Sequence, residues 1–86
     1  MSVESRLRWR CRRGIKEMDL LLEKFLSEVY PQLDTEEKNC FELFLDEADL
    51  DILSWITEKT QPENPVYRKF ILHLQQINLS TKQIHS

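Results

Sequence analysis

Apolar residues recur along this chain with a helical period and nowhere with the strict alternation of a strand. Val3, Leu7 and Cys11 fall on one narrow stripe, which predicts a first helix over about Ser2–Arg12. Trp9 points almost opposite that stripe, and helical phase carries Arg6 and Arg13 close to it in angle. Gly14 follows as a helix stop or kink. Ile15, Met18, Leu22, Phe25, Leu26 and Val29 form the broad apolar face of a second helix, about Ile15–Tyr30, which Pro31 ends. Asp34-Thr35-Glu36-Glu37 reads as an N-cap with its capping-box glutamate. It opens a third helix to about Glu47, with Cys40, Phe41, Phe44, Leu45 and Ala48 inward. Asp49 is the expected cap of a fourth helix, about Leu50–Lys59, carrying Ile52, Leu53, Trp55 and Ile56. Asn64-Pro65 pairs a capping side chain with a first-turn proline and starts a fifth helix on Val66, Phe70, Ile71, Leu74 and Ile77. From about Leu79 the tail is expected to fray.

The expected architecture is therefore all-α: a compact bundle of five short helices forming one domain over residues 1–86. One glycine and three prolines agree with it, since both residues break helices. A chain of this length buries roughly 60–65% of its unfolded surface, which leaves little room for a deep pocket.

Charge changes the picture. Arg6, Arg8, Arg10, Arg12, Arg13 and Lys16 crowd the start against Glu4 alone, whereas Asp34 to Asp51 is acidic apart from Lys38. The formal net charge of −3 conceals this polarity, which favours an oriented encounter with a partner over diffuse nucleic-acid binding. Cys11 and Cys40 follow no framework spacing and read as small core residues in a reducing compartment. No apolar run reaches the roughly 18 residues of a membrane span, and no secretory signal is visible. Helical signals begin so early that an uncleaved cytoplasmic protein of a bacterium is expected, ahead of one in the mitochondrial matrix.

The motifs of known chemistries are missing. His73 and His85 have no metal-spaced partners, and there is no CxxC, HExxH or glycine-rich phosphate loop. No enzyme is expected, and the acidic stretch reads as a solvated face with caps.

What remains is Arg6, Trp9, Arg13, Gly14, Glu17 and Asp19. The residues alone allow a structural use: Gly14 ends a helix, Trp9 packs on a neighbour, and Glu17 and Asp19 favour the start of helix two. They also allow a partner-binding surface, because an exposed tryptophan flanked by arginines suits a hot spot. Arg6-Leu7-Arg8-Trp9-Arg10-Cys11-Arg12-Arg13-Gly14-Ile15-Lys16-Glu17-Met18-Asp19 resembles the R-x-x-W-x-C-R-R-G-x-x-E-x-D opening of the succinate dehydrogenase flavinylation factor family, with its RGxxE signature. Asp49-Leu50-Asp51-Ile52-Leu53-Ser54-Trp55-Ile56 is similar to the family's D-x-D-L-x-x-W-L segment, with Ile52 and Ile56 where leucine is usual. The likeness spans the chain up to about Gln76.

The resemblance implies a five-helix assembly factor, monomeric when free. It implies that the factor binds the flavoprotein subunit of succinate dehydrogenase, and often that of fumarate reductase. There it promotes covalent FAD attachment and holds no cofactor stably itself. Arg13, Gly14 and Glu17 would be the functional motif, with Arg6, Trp9 and Asp19 as interface neighbours. Two other readings stay open: an antitoxin-like interaction module, and nucleic-acid binding through the arginine-rich first helix.

Overall fold

The computed structural model describes residues 3–84, with side chains for residues 5–79. Its helices are α1 (Val3–Arg10), α2 (Lys16–Glu28), α3 (Thr35–Phe44), α4 (Asp49–Ile56) and α5 (Pro65–Ile84), with a single 3-10 turn at Tyr30–Gln32. The all-α, five-helix expectation is met. No helix among the described residues is long and apolar enough to cross a membrane.

The central pair is α2 and α5. Met18, Leu21, Leu22, Phe25 and Leu26 are buried along α2 at helical spacing, facing Phe70, Ile71 and Leu74 of α5. Leu21 and Tyr67 join the core although the sequence pattern singles out neither. An aromatic cluster fills the centre: Phe25 stacks on Phe41 at 4.8 Å between ring centroids. Phe70 sets its edge against Phe25, Phe41 and Phe44 at 5.4–5.7 Å. Leu7 and Cys11 pin α1 onto this core, as their stripe predicts. The side chain of Val3, the third member of that stripe, lies outside the described residues.

Local signals set most of the boundaries. Asp34 Oδ1 accepts from the Glu37 N–H at 2.8 Å, and Glu37 Oε1 accepts from the Asp34 N–H at 3.3 Å, completing the expected capping box. Asn64 Oδ1 accepts from the Val66 N–H at 2.8 Å, so the expected Asn-Pro start of α5 is also present. Pro31 sits in the 3-10 turn that ends α2.

Several boundaries differ from expectation. The α3 helix ends at Phe44 rather than about Glu47, and α4 at Ile56 rather than about Lys59. The α1 helix stops at Arg10 rather than about Arg12, so Gly14 lies in the following loop and not at the helix end. Ala48, not Asp49, occupies the N-cap of α4, and Asp49 is its first helical residue. Its carboxylate is engaged by Arg13 instead.

The α4 helix ends at Ile56 in a Schellman turn. There the Lys59 N–H bonds the Ser54 carbonyl and the Glu58 N–H bonds the Trp55 carbonyl. Glu58, at φ +64°, takes the left-handed position usually given to glycine. The α5 helix continues to Ile84, through the stretch from Leu79 where the sequence predicts fraying. His85 lies outside the described residues.

Candidate functional site

The loop from Cys11 to Ile15 joins α1 to α2, and Gly14 within it has φ +90°, a conformation that residues with a Cβ rarely adopt. Ile15, the N-cap of α2, has no side chain able to satisfy the free amides there. Asp19, in the first turn of the helix, instead holds amides of the loop before it. Its Oδ1 accepts from the Arg13 N–H at 2.6 Å and its Oδ2 from the Gly14 N–H at 3.3 Å. One carboxylate thus holds two successive amides of the loop.

The Arg13 side chain turns the other way, into the junction between α3 and α4. Its Nε donates to Asp49 Oδ1 at 2.6 Å, Nη1 to the Leu45 carbonyl at 2.5 Å and Nη2 to the Glu47 carbonyl at 2.6 Å. Those carbonyls follow the end of α3, where helical acceptors lack partners and a cation suits the helix dipole. The side chain is 13% exposed.

This contact is the last of three. Arg6 approaches Glu42 at 3.4 Å, Arg10 bonds Asp46 and the Glu42 carbonyl, and Arg13 bonds Asp49. These three side-chain pairs share a separation of 36 residues, and Arg10 also lies 3.8 Å from the Glu42 carboxylate. A row of arginines on and after α1 therefore lies along a row of acids on and after α3.

The constant offset explains the bipolar sequence: much of its asymmetry is compensated within the molecule. The expectation that Arg6, Trp9 and Arg13 share one outward side is corrected for Arg13. Helical phase ends at Arg10, so it cannot place Arg13, whereas Arg6 stays exposed beside Glu42. The matched spacings 6/10/13 and 42/46/49 were the available signal for this pairing.

Trp9 does face outward, 65% exposed. The Arg12 guanidinium lies 5.6 Å from its ring centroid. Ser5, Arg8, Trp9 and Arg12 line a shallow hollow on this face. Arg8 and Arg12, passed over in the sequence, are thus the arginines beside the exposed tryptophan, with Arg8 also 3.9 Å from Glu23.

Gly14 is exposed, and a Cβ built on it would meet no atom within 4 Å. Glu17, in the first turn of α2, is exposed, and its side chain makes no hydrogen bond or ion pair among the described residues. Trp9, Gly14 and Glu17 therefore present unsaturated surface, while Arg13 and Asp19 hold the loop from within.

Candidate reactive groups are sparse. Cys11 is buried, its Sγ 3.8 Å from the Leu22 carbonyl, and burial pushes its thiol up to about 11. Among the described residues no cluster of histidine, cysteine or acids is placed to hold a metal ion.

These features define a small all-helical protein with an exposed arginine-glycine loop between its first two helices. The chain belongs to the family described as flavinator of succinate dehydrogenase, which matches residues 5–78. It is 37% identical over 76 residues to the FAD assembly factor SdhE of Coxiella burnetii, covering 88% of this chain and 93% of that protein. It is 39% identical over 66 residues to the FAD assembly factor SdhE of Pseudomonas aeruginosa, covering 77% and 79% respectively. The corresponding protein of Methylococcus capsulatus is 38% identical over 65 residues, covering 76% and 78%. No solved structure gives a significant match.

Proposed function

We propose that this protein is an assembly factor that binds the flavoprotein subunit of succinate dehydrogenase and promotes covalent FAD attachment to that subunit. The observation that carries this reading is the family signature lying at a surface built for contact. Gly14 leaves the backbone bare, Glu17 carries a carboxylate without an internal partner, and Trp9 stands exposed beside Arg12. A flat tryptophan with a neighbouring guanidinium supplies apolar area and charge at small entropic cost. The mechanism is positioning: docking holds the immature flavoprotein so that its attachment residue meets the flavin, and partner and cofactor supply the bond chemistry.

The test is in-gel flavin fluorescence of the flavoprotein subunit in cells lacking the native factor, complemented with this protein or its variants. Full loading is expected with the wild type, and weak loading with Trp9→Ala or Glu17→Ala. Both residues are exposed, so folding is expected to survive either change. Full loading with both variants would place the docking surface elsewhere. Running the same assay on a fumarate reductase flavoprotein decides whether it shares the site. The arginine row offers little support to nucleic-acid binding, because Arg6, Arg10 and Arg13 face acids of the same chain.

A further inference from the structure

We infer that Arg13, the arginine of the signature, is a positioning residue whose working partner is Asp49, and that it does not itself touch the flavoprotein. The inference rests on the docking reading above and gives the signature an internal division of labour. Arg13 spends its guanidinium inside the molecule: Asp49 takes Nε, and the carbonyls of Leu45 and Glu47 take Nη1 and Nη2. Nη1 also lies 3.3 Å from the Arg10 carbonyl. With these acceptors in place and little exposure, the group has scant capacity left for a carboxylate of another protein.

The main chain of the same residue is held from the opposite side by Asp19, which also holds Gly14. The loop is thus tied to the α3–α4 junction through a side chain and to α2 through two amides. Gly14 and Glu17, which face solvent, inherit their placement from those two ties. A preordered loop binds more tightly because its ordering cost is met during folding. Asp49 therefore becomes a functional residue although it lies outside the signature.

A double-mutant cycle on binding to the FAD-loaded, non-covalent flavoprotein subunit tests this. Arg13→Ala and Asp49→Ala are each expected to weaken binding by about tenfold, the scale of one charged hydrogen bond. The double variant is expected to lie within about twofold of Arg13→Ala, because both changes cut one tie. Arg13→Lys is expected to fail as a rescue, since an ammonium cannot span Asp49 and two carbonyls in the plane of a guanidinium. In the isolated protein the Gly14 amide resonance should move in Asp49→Ala but stay in Glu17→Ala.

Wild-type binding by Asp49→Ala together with a large loss in Arg13→Ala would overturn the inference and make Arg13 a direct contact. Additive losses would overturn it as well. Glu17→Ala is the control that separates the two claims. If it binds at full strength the docking reading itself fails, while the Gly14 resonance still reports whether Asp49 holds the loop. Melting curves of each variant ensure that only folded protein is compared.

Discussion

Two loops of this protein pass through a residue of positive φ, and they solve the problem differently. The loop after α1 uses Gly14 at φ +90°, and the turn after α4 uses Glu58 at φ +64°. The second angle falls in the small left-handed well that a side chain can occupy at a cost of about 1–2 kcal/mol. The first lies outside that well, where only glycine is at ease.

The ties differ too. The α4 turn is closed mainly by backbone bonds, from Glu58 to Trp55 and from Lys59 to Ser54, with the Thr57 hydroxyl donating to the Leu53 carbonyl and Gln75 Nε2 to the Ile56 carbonyl. The α1–α2 loop is held by Asp19 and by the part-buried fork of Arg13. The lesson is that the single glycine is spent where the backbone conformation demands it and where bare, rigid surface faces outward.

The largest effect expected on the free protein is from Arg13→Ala. It removes the guanidinium from Asp49 and two carbonyls and should cost about 2–3 kcal/mol in chemical denaturation. A loss comparable to that of an exposed arginine would mean that the loop is not tied as described. Arg6→Ala gives the baseline, because its pair with Glu42 is solvent-exposed and worth about 0–1 kcal/mol.

Next comes Gly14→Ala, expected to cost about 1–2 kcal/mol through backbone strain alone, since space for the methyl is open. D-alanine at this position, introduced by chemical synthesis, should restore stability because its mirror-image preference suits positive φ. If the D-alanine protein folds well but no longer binds the flavoprotein, Gly14 serves docking as well as the turn.

The converse change sharpens the contrast. Glu58→Gly should stabilise the protein by up to about 1 kcal/mol, relieving the left-handed strain at a position outside the docking surface. An unchanged or lower melting temperature would show that Glu58 earns its place through its side chain.

The smallest effect concerns Cys11, the first residue of the glycine loop. Its folded thiol is raised from 9.0 to about 11 by burial, so folding favours the protonated form. That contribution is fully present below pH about 9 and is lost as pH rises through about 11. Burial of Tyr67, and then the charge of Glu47, raises the phenol and adds loss in the alkaline range. Iodoacetamide at pH 8 should label the partly exposed Cys40 well before Cys11. Equal rates would reveal frequent opening of the loop that the ties are said to hold.

Much of the scaffold was legible because its causes are local. The capping box at Asp34, the Asn64-Pro65 start and the α2 stripe each depend on residues within about one or two turns. Tyr67 escaped the pattern because its burial depends on meeting Phe44 and Trp55 from other helices. Asp49 was misassigned for a similar reason. An aspartate before a helix reads as a cap, and only a guanidinium arriving from 36 residues away diverts it.

The sequence by itself determined the five helices, most of the buried face and the family, because periodicity, caps and an ordered motif survive without coordinates. It also identified Trp9, Gly14 and Glu17, which the fold leaves on the surface. Only the tertiary structure decided which arginines remain outside. The side chain of Arg13 could face a partner or the α3–α4 junction with equal ease in one dimension. Packing of α1 on the core brings Asp49, Leu45 and Glu47 within bonding distance, and unpaired acceptors there capture the guanidinium.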